Sequence, residues 1–194
     1  MITLLLDSSN KNLSVALARD NQVFAKKDYE AWQQQSERMI PEIDGLLKAA
    51  NLTTKEIANI VVAIGPGSYT GVRIAVTIAK IMAFLIEAKL YKVSSLAVLA
   101  DHNLPTICLA NARSNRSYFA VYQGVEAIVE DTIISNDEVM AYIEAHQNYA
   151  VAGEASYLGL TSIQSNRFDA MLRFIDEKHE VKDLLALKPI YLKD

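Results

Sequence analysis

The residues with the strongest claim to chemistry are the glycines of Gly65-Pro66-Gly67-Ser68-Tyr69-Thr70-Gly71. Glycines between a strand and a helix let backbone N–H groups point at an anion. The spacing meets neither phosphate signature. A Walker A loop has four residues between its glycines and then Lys and Ser or Thr, whereas Gly65 to Gly71 encloses five and continues as Val72-Arg73. A dinucleotide fingerprint is GxGxxG, and this is GxGxxxG. The pattern favours a tight turn with close helix–strand packing, leaving Gly65, Gly67, Ser68 and Gly71 as weak phosphate candidates. A second polar turn, Asp7-Ser8-Ser9-Asn10, offers Asp7 to a hydrated cation and Ser8 and Ser9 to a phosphate. It has no glycine for close backbone approach, so an Asx-type turn and a weak nucleotide contact both stay open.

Nucleophiles and metal ligands are scarce. Ser68 fails the nucleophile-elbow pattern GxSxG, because Pro66 and Thr70 stand where the glycines belong. His102, His146 and His179 are 44 and 33 residues apart and form no HxxxH or HExxH pair, so neither a metal nor another cofactor is expected. Cys108, the single cysteine, lies in the apolar stretch Thr106–Ala110 and reads as a buried small hydrophobe. It cannot form an internal disulfide, which suits a reducing compartment.

The helix expected after the glycine loop says more. From Val72 to Ile86, 12 of 15 residues are apolar, and the exceptions Arg73, Thr77 and Lys80 fall at i, i+4 and i+7, one narrow stripe. A helix packing on its own sheet needs an apolar face only somewhat wider than ~100°. Ile74, Ile78, Ile81, Met82 and Leu85 therefore exceed that need and point to a second chain; burial between lobes of one chain is the competing explanation. Ser36–Ala50 repeats the pattern more weakly, with Met39, Ile43, Leu46 and Leu47 available to the same partner.

These segments need a scaffold. Ile2–Leu6, Leu13–Ala18 and Gln22–Tyr29 read as an antiparallel meander, Ser36–Ala50 as a helix kinked by Pro41, and Ile60–Ile64 as a strand covered on both faces. Thr53 and Glu56 match a capping box opening a short helix between them. The second half repeats the plan, with strands over Pro105–Ala110, Ser117–Gln123, Glu126–Ile134 and Tyr149–Ala152 and helices over Asn136–His146 and Arg167–Lys178. Asp7, Asn10 and Val15-Ala16 echo Asn111, Ser114 and Phe119-Ala120 at an offset of 104. Two βββαβα halves predict an α/β protein with the two-lobed actin-like ATPase fold, divided near residue 100 into lobes 1–100 and 101–194.

Composition narrows the function classes. The 194 residues are 51% hydrophobic and 22% charged, enough for a packed core and unlike a disordered chain. A net charge of −4 disfavours direct nucleic-acid binding. The N-terminus lacks the basic region of a secretory signal, and the 15 residues Val72–Ile86 fall short of the ~20 that span a bilayer, so a cytoplasmic protein off the membrane is expected.

Several segments carry a specific resemblance. They are Leu6-Asp7-Ser8-Ser9, Ser36-Glu37-Arg38 with Pro41, Gly65–Gly71 continuing as Val72-Arg73-Ile74, Val93-Ser94-Ser95-Leu96, and Pro189-Ile190-Tyr191-Leu192-Lys193-Asp194. Spread from end to end, they resemble the TsaB (YeaZ) family, needed to make threonylcarbamoyladenosine in tRNA. The chain departs from the family's usual residues at Gln35, Tyr69, Ala75 and Asn111, and its second lobe is short. The resemblance implies the actin-like ATPase fold with a reduced second lobe, in a non-catalytic paralogue of TsaD, the enzyme that transfers the threonylcarbamoyl group. It also implies that the two helices of the first lobe pack on their TsaD counterparts, that the ATPase TsaE joins the pair, and that tRNA is met only through the complex. Without its partner such a surface would form a homodimer. The alternative is a weak ATPase or phosphotransferase using Asp7, Ser8, Ser9 and the glycine loop in a cleft between lobes.

Overall fold

The computed structural model describes residues 1–192; Lys193 and Asp194, the end of the tail segment named above, lie outside the described residues. Two sheets form the scaffold. Strands β1 (Ile2–Asp7), β2 (Asn12–Arg19), β3 (Gln22–Glu30), β4 (Ile57–Ala63) and β5 (Lys89–Val93) make the first, in the order β3-β2-β1-β4-β5. Strands β6 (Thr106–Arg113), β7 (Arg116–Gln123), β8 (Glu126–Ser135) and β9 (Ala150–Gly153) make the second, in the order β8-β7-β6-β9. In each, the first strand pairs antiparallel with the second and parallel with the fourth. This is the two-lobed actin-like ATPase arrangement, with a smaller second sheet.

Strand periodicity sorts the core into three layers. Leu4, Leu6, Ile60 and Val62 pack under α1 (Gln35–Ala49) and α2 (Tyr69–Ile86). Their alternates Leu5, Val61 and Ala63 face the space between the sheets, where Cys108, Ala120 and Tyr122 meet them from the other side. Ile107, Leu109, Phe119 and Val121 form the outer core of the second sheet with Val139 of α3 (Asn136–Ala145). The echo at offset 104 has a physical basis here. Ala16 and Ala120, one per sheet, both sit in the central layer, where small side chains let the sheets approach.

The final helix departs from expectation. Helix α4 covers only Arg167–Leu172 instead of reaching Lys178. The Asp176 carboxylate accepts the backbone N–H and the ring Nδ1 of His179, a local turn that competes with helical hydrogen bonding. Phe168, Ala170 and Met171 of α4 share the central apolar layer with Leu5, Ala16 and Val61 of the first sheet. The chain then pairs beside β5, where Val181 N–H donates to Leu90 O, and ends with Ile190 N–H on Ile64 O. Residue 100 lies between the sheets, and of the expected lobe and tail over 101–194 the part from α4 onward packs back on the first sheet. The repeated element order hides this, because α2 covers its own sheet and α4 covers both.

Strand β5 escapes the sequence reading because its apolar run is short and broken by Lys89 and Lys92, as befits a sheet edge. The Thr53–Glu56 capping box opens only a 3₁₀ turn, Thr54–Glu56, before β4 begins at Ile57. Pro41 lies within α1, which continues past it to Ala49.

Candidate functional site: an apolar helix face and a cleft beside Asp7

The two polar turns singled out in the sequence meet each other. Ser68 N–H donates to Ser9 O at 2.6 Å, and Ser8 Oγ donates to Gly71 O at 2.7 Å. A Cβ on Gly71 would lie 1.9 Å from Ser8 O, and one on Gly67 would lie 2.2 Å from Ser9 O. Gly65 has φ +101°, and a Cβ there would meet Ile190 O at 2.6 Å. The glycines thus let the start of α2 press its backbone onto the β1–β2 turn, the close-packing role the spacing favoured. Ser68 Oγ caps α2 by accepting Gly71 N–H at 3.3 Å.

Asp7 is likewise engaged. It is buried, its Oδ1 accepts Ser9 N–H at 2.8 Å, and its Oδ2 accepts the Arg167 guanidinium at 2.8 Å. The same guanidinium donates to Ser14 Oγ at 3.1 Å. A cleft of about 240 Å³ lies beside them, lined by Asp7, Ser9, Pro66, Ser95, Glu154 and Arg167 among others. Asp7 already has a cation, Glu154 accepts Asn111 N–H, and Ser95 Oγ accepts Gly65 N–H. No group of three or more His, Cys, Asp or Glu that could hold a metal occurs among the described residues. His146 stacks on Tyr142, and His179 pairs with Asp176. Cys108 is fully buried, and burial pushes its thiol well above its ordinary value.

A larger cavity, about 450 Å³, opens between β5 and β8. At its wall Ser94 Oγ and Tyr122 Oη donate to the two Asp131 oxygens at 2.5 and 2.9 Å. Burial holds the Asp131 carboxyl above the ordinary carboxylate range despite those donors. Sequence reasoning missed this group, because Ser94, Tyr122 and Asp131 share no motif and meet only through the fold.

The helices of the first lobe divide sharply. Met39, Ile43, Leu46 and Leu47 of α1 lie in the core over the first sheet, Met39 with no exposure at all. Their expected place on a partner surface is corrected: the face of α1 that the heptad-like spacing marks as apolar is the face the sheet needs. On α2 the sheet takes the small residues Gly71, Ala75, Ala79 and Ala83 together with Val72 and Val76. Large residues are left outside. Ile81, Phe84 and Leu85 are 53%, 74% and 71% exposed, while Ile74, Ile78 and Met82 are half-buried. Arg73, Thr77, Ile81 and Leu85 follow at four-residue steps, so the exposed face is polar near the N-terminus and apolar beyond it. Phe84 and Ile40, the latter 60% exposed on α1, extend the surface and were not among the residues expected there.

Between the helices runs a groove of about 470 Å³, lined by Ser36, Ile40, Tyr69, Thr70, Arg73, Ile74, Thr77 and Ile78. At 18 residues, with mean hydropathy 1.6, α2 is long and apolar enough to cross a membrane by length and composition, more than the 15 residues counted from sequence. Its small-residue face is nevertheless committed to the sheet.

Comparison with known proteins fits this division. Residues 29–186 match the family model of TsaD, tRNA N6-adenosine threonylcarbamoyltransferase. Over 217 aligned positions the chain is 30% identical to the tRNA threonylcarbamoyladenosine biosynthesis protein TsaB of Bacillus subtilis, covering 100% of this chain and 94% of that protein. The chain belongs to the TsaB/YeaZ family. TsaB of Escherichia coli is 32% identical over 129 residues, 63% of this chain and 55% of that one. YeaZ from Pseudomonas aeruginosa superposes with a TM-score of 0.81 at 21% identity, covering 98% of this chain and 99% of that chain, so the family fold extends over both sheets. The TsaD match takes in α1 and α2, the helix pair that carries the exposed face.

Proposed function

We propose that this chain is the non-catalytic partner of TsaD in making threonylcarbamoyladenosine in tRNA, and that it docks through α2 and the outer edge of α1. The observation that carries the reading is the inversion on α2: small residues face the sheet while Ile81, Phe84 and Leu85 face outward. Apolar side chains of that size in one exposed stripe mark an interaction surface. A related fold with the same helix pair can set its own pair against this one, apolar stripe to apolar stripe. In the absence of TsaD, a second copy of this chain serves the same face and gives a homodimer. TsaE then joins the pair, tRNA is gripped by the assembled complex, and the setting is cytoplasmic.

The absence of a role in the chemistry is part of the proposal. It is supported by the side chains of Asp7, Ser8 and Ser68 each being spent on internal hydrogen bonds. The docking reading is tested by co-elution with TsaD. Ile81→Asp and Leu85→Asp place an unpaired carboxylate in the interface and should abolish the complex while leaving the fold intact. Unchanged co-elution of both variants overturns the reading.

A further inference from the structure

The docking face carries one charge in a special setting. Among the eight residues lining the groove between α1 and α2, Arg73 is the single ionised side chain. Its Nη1 donates to Tyr69 Oη at 2.8 Å, and its guanidinium carbon lies 5.2 Å from the Tyr69 ring centroid. The Tyr69 ring in turn packs on Tyr191, with centroids 4.8 Å apart and planes tilted by 31°. Tyr191 lies beyond Ile190, whose N–H is fixed to Ile64 O at 2.7 Å. Earlier in the same strap Lys80 Nζ, on the flank of α2, donates to Leu187 O at 3.0 Å. The C-terminal strap therefore holds Tyr69 from outside, and Tyr69 holds Arg73 at the groove.

We propose that Arg73 is the specificity anchor of this face, receiving a carboxylate of TsaD, and that the strap positions it through Tyr191 and Tyr69. The proposal rests on the docking reading above. No acidic side chain is among the residues lining the groove, so within the groove this cation has a phenol for a partner and keeps donors free for a planar acceptor. Arginine fits the task because its fixed fork binds a carboxylate through two parallel hydrogen bonds, and holding it on an aromatic ring reduces the freedom lost on docking. The apolar stripe would favour any greasy partner, this chain's own copy included. A carboxylate met at Arg73 adds discrimination, since two copies of the chain bring two like charges to the same region. Arg73 and Tyr69 are the binding residues; Tyr191 is a positioning residue.

The test measures affinity for TsaD by calorimetry at low and high salt, using the full chain. Arg73→Glu should weaken binding about a hundredfold and Arg73→Met about tenfold, and Arg73→Met should flatten the salt dependence. Tyr191→Ala should weaken binding severalfold and also reduce the salt dependence, whereas Tyr191→Phe keeps the ring and should bind as the unmodified chain does. Ile81→Asp runs alongside. If Ile81→Asp abolishes binding while Arg73→Glu and Arg73→Met bind normally, the anchor is refuted and the docking reading stands. If Ile81→Asp binds normally, the docking reading falls and takes the anchor with it.

Discussion

The Arg167 guanidinium donates to Asp7 Oδ2 at 2.8 Å, joining the first residue of α4 to the last residue of β1. The contact fills with an internal cation the place where a cleft acid could hold an external one. It also fastens α4 between the sheets. Removing one partner of a buried pair leaves the other charge stranded, which costs about 3–5 kcal/mol. Arg167→Ala should therefore lower stability by an amount of that order in denaturant titration. Asp7→Asn combined with Arg167→Met should cost less than the two single changes added together, because the double variant strands no charge.

Titration with Mg-ATP checks the cleft itself. The unmodified chain, alone, should give no saturable binding, since both oxygens of Asp7 are engaged and the glycine loop meets the β1–β2 turn instead of open space. Saturable binding that is lost in Ser9→Ala would restore the weak-ATPase alternative.

The two glycine classes give opposite stability changes. Gly71→Ala forces a Cβ to within 1.9 Å of Ser8 O, a clash with backbone that no rotamer relieves, and should cost more than about 3 kcal/mol. Gly45 lies inside α1 with nothing within 4 Å of its added Cβ. Gly45→Ala should raise stability by about 0.5–1 kcal/mol, read as an upward shift of the thermal midpoint.

Much of the fold was legible from periodicity, and the partial reading of α1 shows where periodicity stops. Met39, Ile43, Leu46 and Leu47 announce an apolar helical face, but spacing alone does not tell whether a sheet or a second chain covers it. The same limit explains α4, which stops at Leu172 and whose cover over both sheets is a tertiary choice. On α2 the composition was decisive. Gly71, Ala75, Ala79 and Ala83 recur at four-residue steps and mark the face that approaches the sheet, so the large residues opposite them had to look outward. Phe84 fits that rule and was readable; Ile40, alone on the outer edge of α1, was not. Asp131 shows the remaining gap: its partners Ser94 and Tyr122 come from separate strands and connections, and nothing in the sequence links the three.

Core and surface positions should separate cleanly by measurement. Ile43→Ala removes a buried side chain and should cost about 2–5 kcal/mol of stability. Ile81→Ala, at a position 53% exposed, should change stability by no more than about 0.5 kcal/mol yet weaken self-association in analytical ultracentrifugation. Equal destabilisation by the two would place Ile81 in the fold's own core.

Asp131 gives a pH dependence of defined sign. Burial raises its carboxyl above the ordinary 3.8, so in the window above that value the folded chain binds a proton more readily than the unfolded one. Ionisation of Asp131 thus subtracts stability as pH rises through its folded value. Relative to Asp131→Asn, the unmodified chain should gain stability as pH falls from neutral toward 4, with no further relative change below the ordinary value. Parallel curves for the two proteins across that range would show that Asp131 titrates as if unfolded.

The proposed role makes this chain a requirement of TsaD that performs no chemistry itself. Threonylcarbamoyladenosine formation on tRNA, reconstituted with TsaD, TsaE and the threonylcarbamoyl-adenylate synthase, tests it most directly. Product should appear with the unmodified chain and with Ser9→Ala, and should be lost without the chain or with Ile81→Asp. Equal product in the absence of the chain would contradict the account.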